Sequence, residues 1–457
     1  PQHLTITGLD DFDEKEDTPF TVSILVKSDD FNYGPRSDGT GGVKVDDLQL
    51  INLDDGEEDD LTIYGDGGGV PTNDILKTIN GKDQLYGKDG RDRLYGGRND
   101  DLLAGGYDDD RLWGEDGNDQ LYGELGNDTL YGGNGVDYLV GGEGKDLLIG
   151  GNGNDFYVID DTFDTIDDQG SASDIDSINI RGNISSYVLQ NGIENGTLET
   201  GNGGSLTGNQ SNNVLTGNSN NNSLSGAGGD DNLVAADGND TINGGVGNDT
   251  VNGGNGNDVI IGADNGGNDL YTGGSGIDSV EYSSVTNTSV TVNLSTGKAT
   301  GTAIGTDTLQ TIENVVAGAK DDVIIGSSAN NALKGGGGAD QITGGVGADQ
   351  LTGGTGADQF RYGSTSESTF TVEARDTIVD FNGAAGDRIA LSAIDANNQL
   401  AGDQAFKFIG SANFSGVRGE LRFANGVLSA DINGDRTGDF AITLTQVTTF
   451  SAGWAIL

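Results

Sequence analysis

An all-β fold, built mainly from parallel β-rolls (right-handed β-solenoids of stacked nonapeptide turns), is what this sequence predicts. Three observations predict it: aspartate returns every nine residues over long stretches, a large apolar residue stands two places after each aspartate, and glycine crowds the residues before it. A tight turn with unusual dihedrals suits the glycine-rich part, G-G-x-G-x-D, and a short strand suits the rest, x-U-x, where U is large and apolar. Two such repeats close one lap of a flattened coil. Residues 18 apart then stack at about 4.8 Å, the spacing between neighbouring strands.

Composition fits a chain without one large core. Only 33% of its 457 residues are hydrophobic, and 81 glycines stand against four prolines. Such a composition would by itself suit a disordered chain, but a register that persists through nine repeats does not. There is no cysteine, so neither a disulfide nor a thiolate zinc site can hold the chain together. With 73 acidic and 23 basic residues the formal charge is -50, which excludes nucleic acid and an anionic membrane surface as main partners and favours cations. No apolar run approaches the roughly 18 residues of a membrane span. Because the chain begins at Pro1 with neither an initiator methionine nor a signal-peptide pattern, it is expected to be part of a longer protein.

Along the chain, residues 1–72 alternate in short apolar runs (LTIT at 4–7, FTVSILV at 20–26) around acidic turns, as the C-terminal part of a β module would. The first β-roll, 73–157, carries Asp83, Asp92, Asp101, Asp110, Asp119, Asp128, Asp137, Asp146 and Asp155, followed two places later by Leu85 through Leu148 in steps of nine and by Tyr157. Residues 158–207 lose the nonamer and form a strand-rich connector. The second β-roll, 208–281, holds Asp231, Asp240, Asp249 and Asp258, skips eleven residues to Asp269, and regains the step at Asp278; the skip predicts a loop bulging from one turn. A further strand-rich connector, 282–317, includes SVTVNL at 289–294. The third β-roll, 318–362, places Asp322, Asn331, Asp340, Asp349 and Asp358 in frame. From 363 to 457, runs such as DTIVDF at 376–381 and DFAITL at 439–444 predict a final β domain.

Stacking lines the aspartates into two ladders, one along each edge of a roll. Two carboxylates about 5 Å apart repel by about 0.8 kcal/mol in water and about four times that at an effective dielectric near 20, so long ladders cannot fold bare. Calcium takes six to eight oxygen ligands at about 2.3–2.6 Å, which aspartates and exposed turn carbonyls supply together; magnesium demands a smaller octahedron and keeps its waters. Each of the nineteen aspartates named above is therefore expected to ligate calcium. Asn99 and Asp108 replace turn glycines, as residues that enter the left-handed region most readily after glycine. Asn213, Asn222 and Asn331 replace the aspartate itself, and those turns are expected to stack without tight calcium.

These motifs resemble the hemolysin-type calcium-binding repeats of the repeats-in-toxin family over about 80–157, 208–281 and 318–362. The resemblance implies a parallel β-roll with calcium between turns, held by the aspartates and by carbonyls of glycines such as Gly132, Gly133 and Gly135. The tail, notably RDTIVDFNGAAGDRIALSAID at 375–395 and DFAITLTQVTTFSAGWAIL at 439–457, resembles the C-terminal domain of serralysin-type secreted proteins. That implies an uncleaved signal read by type I secretion machinery and a secreted, extracellular or cell-surface location. The Trp454-Ala455-Ile456-Leu457 ending departs from the commoner acidic, apolar one. Residues 1–60 faintly resemble calcium-binding β modules of bacterial exoproteins.

Two other constellations stand out. DINGDRTGD at 431–439 sets Asp431, Asn433, Asp435 and Asp439 like the start of a calcium loop, but lacks the distal glutamate, so an acidic surface turn is the competing reading. The residue after U is aromatic at Tyr86, Tyr95, Trp113, Tyr122 and Tyr131. Tyr95, Trp113 and Tyr131 should form an outward ladder, either packing across strands, the favoured reading, or binding a cell-surface polysaccharide. No catalytic site is expected: the only histidine is His3, so serine and cysteine triads and zinc protease motifs lack their parts. The leading functional reading is an extracellular calcium-binding module, folded by calcium after secretion, with a structural or adhesive role. The alternative is the calcium-stabilised secretion tail of a larger exoenzyme or toxin. An ice-binding surface is weakened because outward positions lack a regular threonine array.

Overall fold

Glycine at two places in each nonamer lets the chain turn back. In the first roll the positions three and five residues after the core leucine have positive φ, as at Gly133 (123°) and Gly135 (137°). Asn99 (71°) and Asp108 (75°) take the second of these places as expected, and Lys88, Glu115 and Glu124 take the first. A computed structural model of the protein describes residues 3–7, 21–25, 49–51, 62–65, 73–182, 184–199, 201, 203–262, 267–397 and 399–457, the first three stretches as backbone only. They belong to two compact units, Pro1–Asn209 and Gln210–Leu457.

In the first unit successive strands alternate between two parallel sheets. One contains Ile75–Lys77, Arg93–Arg98, Arg111–Asp116, Thr129–Asn134 and Leu147–Asn152; the other contains Gln84–Asp89, Leu102–Tyr107, Gln120–Leu125, Tyr138–Glu143 and Phe156–Ile159. The register is 18 throughout, as in Leu94↔Leu112 and Leu121↔Leu139. The leucines at every ninth position from Leu76 to Leu148, with Tyr157, are fully buried, so each lap adds two core side chains worth about 1.5–3 kcal/mol of burial apiece. Asp176–Ile180 and Ile193–Leu198 extend the second sheet in parallel beyond the last nonamer. Much of the expected β module at 1–72 lies outside the described residues; its strands His3–Thr7, Thr21–Leu25 and Gln49–Ile51 pair antiparallel, and the last joins Ile75–Lys77 in parallel.

The second unit repeats the scheme with Leu233, Ile242, Val251 and Ile260 in the core. The loop expected before Asp269 falls largely on 263–266, which lie outside the described residues; beyond them the strands pair at a register of 20, Val251↔Tyr271. Residues 282–317 hold an antiparallel meander, Val290–Asn293, Lys298–Gly301 and Gly305–Gln310, whose last strand stacks Leu309 on Tyr271, and beyond it Val315 stacks on Val280. Toward the C-terminus Phe440–Leu444 adds in parallel to Asp376–Ile378 and opens an antiparallel meander with Val427–Asp431 and Glu420–Ala424. Ala455–Ile456 pairs with Arg388–Ala390, and Trp454 packs edge-on against Phe450 at 5.6 Å. Two three-residue 3-10 turns, Val372–Ala374 and Ala452–Trp454, are the helical elements among the described residues.

Candidate metal centres

Each coil delivers its aspartate to an edge in the same pose. The carboxylate turns inward, and Oδ1 accepts the backbone N–H of the aspartate one lap earlier: Asp83 donates to Asp101 at 2.8 Å, Asp101 to Asp119 at 2.8 Å and Asp119 to Asp137 at 2.8 Å along one edge. Asp92, Asp110, Asp128 and Asp146 continue the same pattern along the other. In the second unit Asp231, Asp249 and Asp269 form one series and Asp240, Asp258 and Asp278 another. These are the two ladders expected from the nonamer.

The other oxygen supplies the test of whether a cation fits. In Asp101, Asp110, Asp119, Asp128, Asp137, Asp146 and Asp155, and in Asp231, Asp240, Asp249, Asp258, Asp278, Asp340, Asp349 and Asp358, Oδ2 is buried with no hydrogen-bond donor. A buried carboxylate oxygen without a donor is costly in a folded protein, and its recurrence at one coil position points to a shared ligand that carries no N–H. Glycine carbonyls converge on the same place. A Cβ on Gly87 would lie 2.5 Å from both Asp92 Oδ2 and the Gly105 carbonyl oxygen, and one on Gly114 would meet Asp119 Oδ2 and the Gly132 oxygen. A Cβ on Gly151 or Gly153 would meet the carbonyl oxygen of Gly133 or Gly135 respectively, one lap before. Hard oxygen donors, part charged and part neutral, are the set that calcium takes. Calcium bound there would supply the positive charge that the stacked carboxylates lack.

Without it, burial drives these groups toward the protonated form. Asp101, Asp110 and Asp137 are pushed up to about 8, Asp119, Asp146 and Asp231 to about 7, and Asp128 and Asp249 to about 6. Desolvation is the main cause; the neighbouring carboxylates add to it, and the N–H bond to Oδ1 opposes both.

Several positions depart from the pattern. Asp269 Oδ2 accepts the Tyr271 hydroxyl at 2.7 Å, and Asp322 gives Oδ1 to Val290 N–H and Oδ2 to Gly318 N–H, so neither offers the donor-free oxygen of its neighbours. Asn222 accepts the N–H of Asn218, and Asn331 accepts that of Ser327 while donating to the Glu313 carbonyl. Asn213 keeps the ladder bond to Asp231. In the 431–439 loop, Asp431 accepts the N–H groups of Gly434 and Arg436, Asp439 those of Ile432 and Asn433, and Asp435 that of Thr437, while Asn433 accepts the N–H of Asp435. The carboxylates there close a turn through their own backbone.

The ladders also run on past the aspartates named so far, through Asp164, which keeps the nine-residue step, and through acids that the step passes over. Asp146 donates to Asp164, Asp155 to Asp176, Asp269 to Asp307, Asp349 to Asp376 and Asp358 to Asp387, at separations of 18, 21, 38, 27 and 29. Asp278 donates to Glu313. In each the acid stands two places before a buried apolar residue, as in Asp176-Ser177-Ile178 and Asp376-Thr377-Ile378. D-x-U is thus the signal that survives when glycines and spacing are lost.

On the outside, the residue before the ladder aspartate forms a second row of opposite sense: Asn118 N–H donates to Asp100 Oδ1 at 3.0 Å and Val136 N–H to Asn118 Oδ1 at 2.7 Å. Tyr95, Trp113 and Tyr131 stack with centroids 4.5 and 5.3 Å apart and planes within 4°. Their faces lie against one another, as cross-strand packing requires.

Comparison with known proteins agrees with this geometry. The family model for the RTX calcium-binding nonapeptide repeat matches residues 77–106, 95–130, 131–166, 200–233, 207–242 and 234–265. The model for the peptidase M10 serralysin C terminal matches 297–453, so that match takes in the third block of repeats as well as the tail. No curated protein matches. Among solved structures, the extracellular lipase LipA from Serratia marcescens is similar at 16% identity with a TM-score of 0.18, over 64% of this chain; the chain spans 45% of that protein. Calcium-binding repeats of the repeats-in-toxin type, followed by a C-terminal domain of the serralysin type, are therefore what this chain carries.

Proposed function

We propose that the chain is a non-catalytic extracellular module that stays unfolded where calcium is scarce, leaves the cell by the type I route, and folds outside into a structural or adhesive element of a cell surface or matrix. The observation that carries this reading is the repeated buried Oδ2 without a donor: carboxylates so placed make binding free energy and folding free energy the same quantity. The polar depression lined by Gly363, Ser364, Asp395, Asn433 and Asp439 supports a non-catalytic role, because Asp395 accepts the N–H groups of Asn397 and Gln404 and Asp439 closes its own loop.

The serralysin-type tail favours a second reading, a secretion and stabilising segment of a larger exoenzyme or toxin. Labelled protein mixed with envelopes of the producing cells separates the two. Retention at millimolar calcium with release by chelator is expected of the adhesive module; folded protein that never binds envelopes or matrix would favour the tail.

A further inference from the structure

At the last turn of the first roll one coil position changes character. Asp119 and Asp137 each face a glycine carbonyl thirteen residues on, at Gly132 and Gly150. Thirteen residues after Asp155 the chain places Asp168. The core position is changed too: Tyr157 replaces leucine, and its hydroxyl accepts Gly150 N–H at 3.0 Å and reaches Asp168 Oδ1 at 3.4 Å. Asp176 closes the group from the next strand, with Oδ1 taking Asp155 N–H at 2.6 Å.

One carboxylate oxygen from each of Asp155, Asp168 and Asp176 lies within 4.8 Å of the other two. Two oxygens on a single calcium can stand no more than about 5 Å apart, given bonds of about 2.3–2.6 Å, so all three fit one ion. The cluster does not stand alone as evidence. Asp155 is 1% exposed and its Oδ2 has no hydrogen-bond donor, so a buried polar atom without a donor belongs to the group.

We infer that Asp155, Asp168 and Asp176 form a three-carboxylate site for one divalent cation, distinct in composition from the ordinary turns and tighter than they are. Affinity for calcium rises with the number of charged ligands and with rigidity. An ordinary turn sets an aspartate oxygen beside neutral carbonyls; here the Asp168 carboxylate adds a further charge to the group, and the buried Tyr157 hydroxyl holds one edge. This site fills first as calcium rises and orders the end of the first roll before the other turns fill.

The inference rests on the calcium-binding reading of the repeats, and calorimetric titration of the full chain with calcium separates the two. Wild type should show a first class of about one ion bound at least tenfold more tightly than the rest. Asp168→Asn, which keeps the shape, and Asp168→Gly, which restores the residue usual at that coil position, should both merge that class into the weaker ones and leave circular dichroism at saturating calcium unchanged. Terbium luminescence excited through Tyr157 should fall in both variants at one equivalent of metal. Titrations that superimpose on wild type, with the tight class intact, would overturn the three-carboxylate site; wild type that takes up no calcium would overturn the broader reading instead.

Discussion

Gly87 shows what a single residue contributes beyond backbone freedom. Its φ is not positive, so alanine there brings no left-handed strain; its Cβ would instead stand 2.5 Å from both Asp92 Oδ2 and the Gly105 oxygen. Gly87→Ala should therefore cost about one bound ion by calorimetry and shift the calcium midpoint of folding upward. An unchanged ion count would mean that the cation does not sit over that glycine. Leu112→Ala acts by a different route: the side chain is fully buried between Leu94 and Leu130, and its loss should destabilise the calcium-loaded protein by about 2–5 kcal/mol, read as a lowered denaturant midpoint, with the ion count unaltered. Leu112 was legible in the sequence because periodicity states which way its side chain points, whereas Gly87 was legible only as one glycine of a repeated turn. Asp269 and Asp322 were not, because the competing donors, the Tyr271 hydroxyl and Gly318 N–H, are set by how the chain re-enters the coil and not by the nonamer.

Among elements, the interruptions are informative. Where the second roll accommodates the insert before Asp269 and the meander at 290–310, two buried tyrosines donate to ladder carboxylates, Tyr271 to Asp269 and Tyr282 to Asp307 at 2.9 Å. Burial and the adjacent carboxylate push both hydroxyls far above their usual range, so they remain donors at any physiological pH. A tyrosine proton thus does at these turns what a cation does elsewhere. Tyr271→Phe should leave Asp269 Oδ2 without a donor, lower stability at limiting calcium by about 1–3 kcal/mol, and raise the ion count by one at saturation; a count equal to wild type would contradict the equivalence. The sequence announced these breaks as lost spacing but not their content, since separations of 21, 27, 29 and 38 have no period. Only D-x-U persists through Asp176, Asp307, Asp376 and Asp387.

For the whole molecule, the ladders turn charge into a folding switch. In calcium-free solution the buried carboxylates have folded-state values raised from 3.8 to about 6–8. The folded state then holds more protons than the unfolded one, and that contribution to stability is full below about pH 4 and is lost as pH rises through about 6–8. Calcium-depleted protein should gain β signal in circular dichroism as pH falls from 8 to 5, a range above its isoelectric point of about 4.1. At millimolar calcium the signal should hold across that range, while protons compete and weaken affinity at the acid end. A calcium-free signal that rises with pH would have the wrong sign for buried, repelling carboxylates.

The most direct test is circular dichroism of the purified chain at pH 7.5, first in excess chelator and then titrated with calcium. The account predicts little β signal in chelator and a cooperative rise as calcium reaches about 10⁻⁴–10⁻³ M, the range of extracellular sites, with several ions bound per chain. A full β spectrum in chelator, unchanged by added calcium, would contradict it.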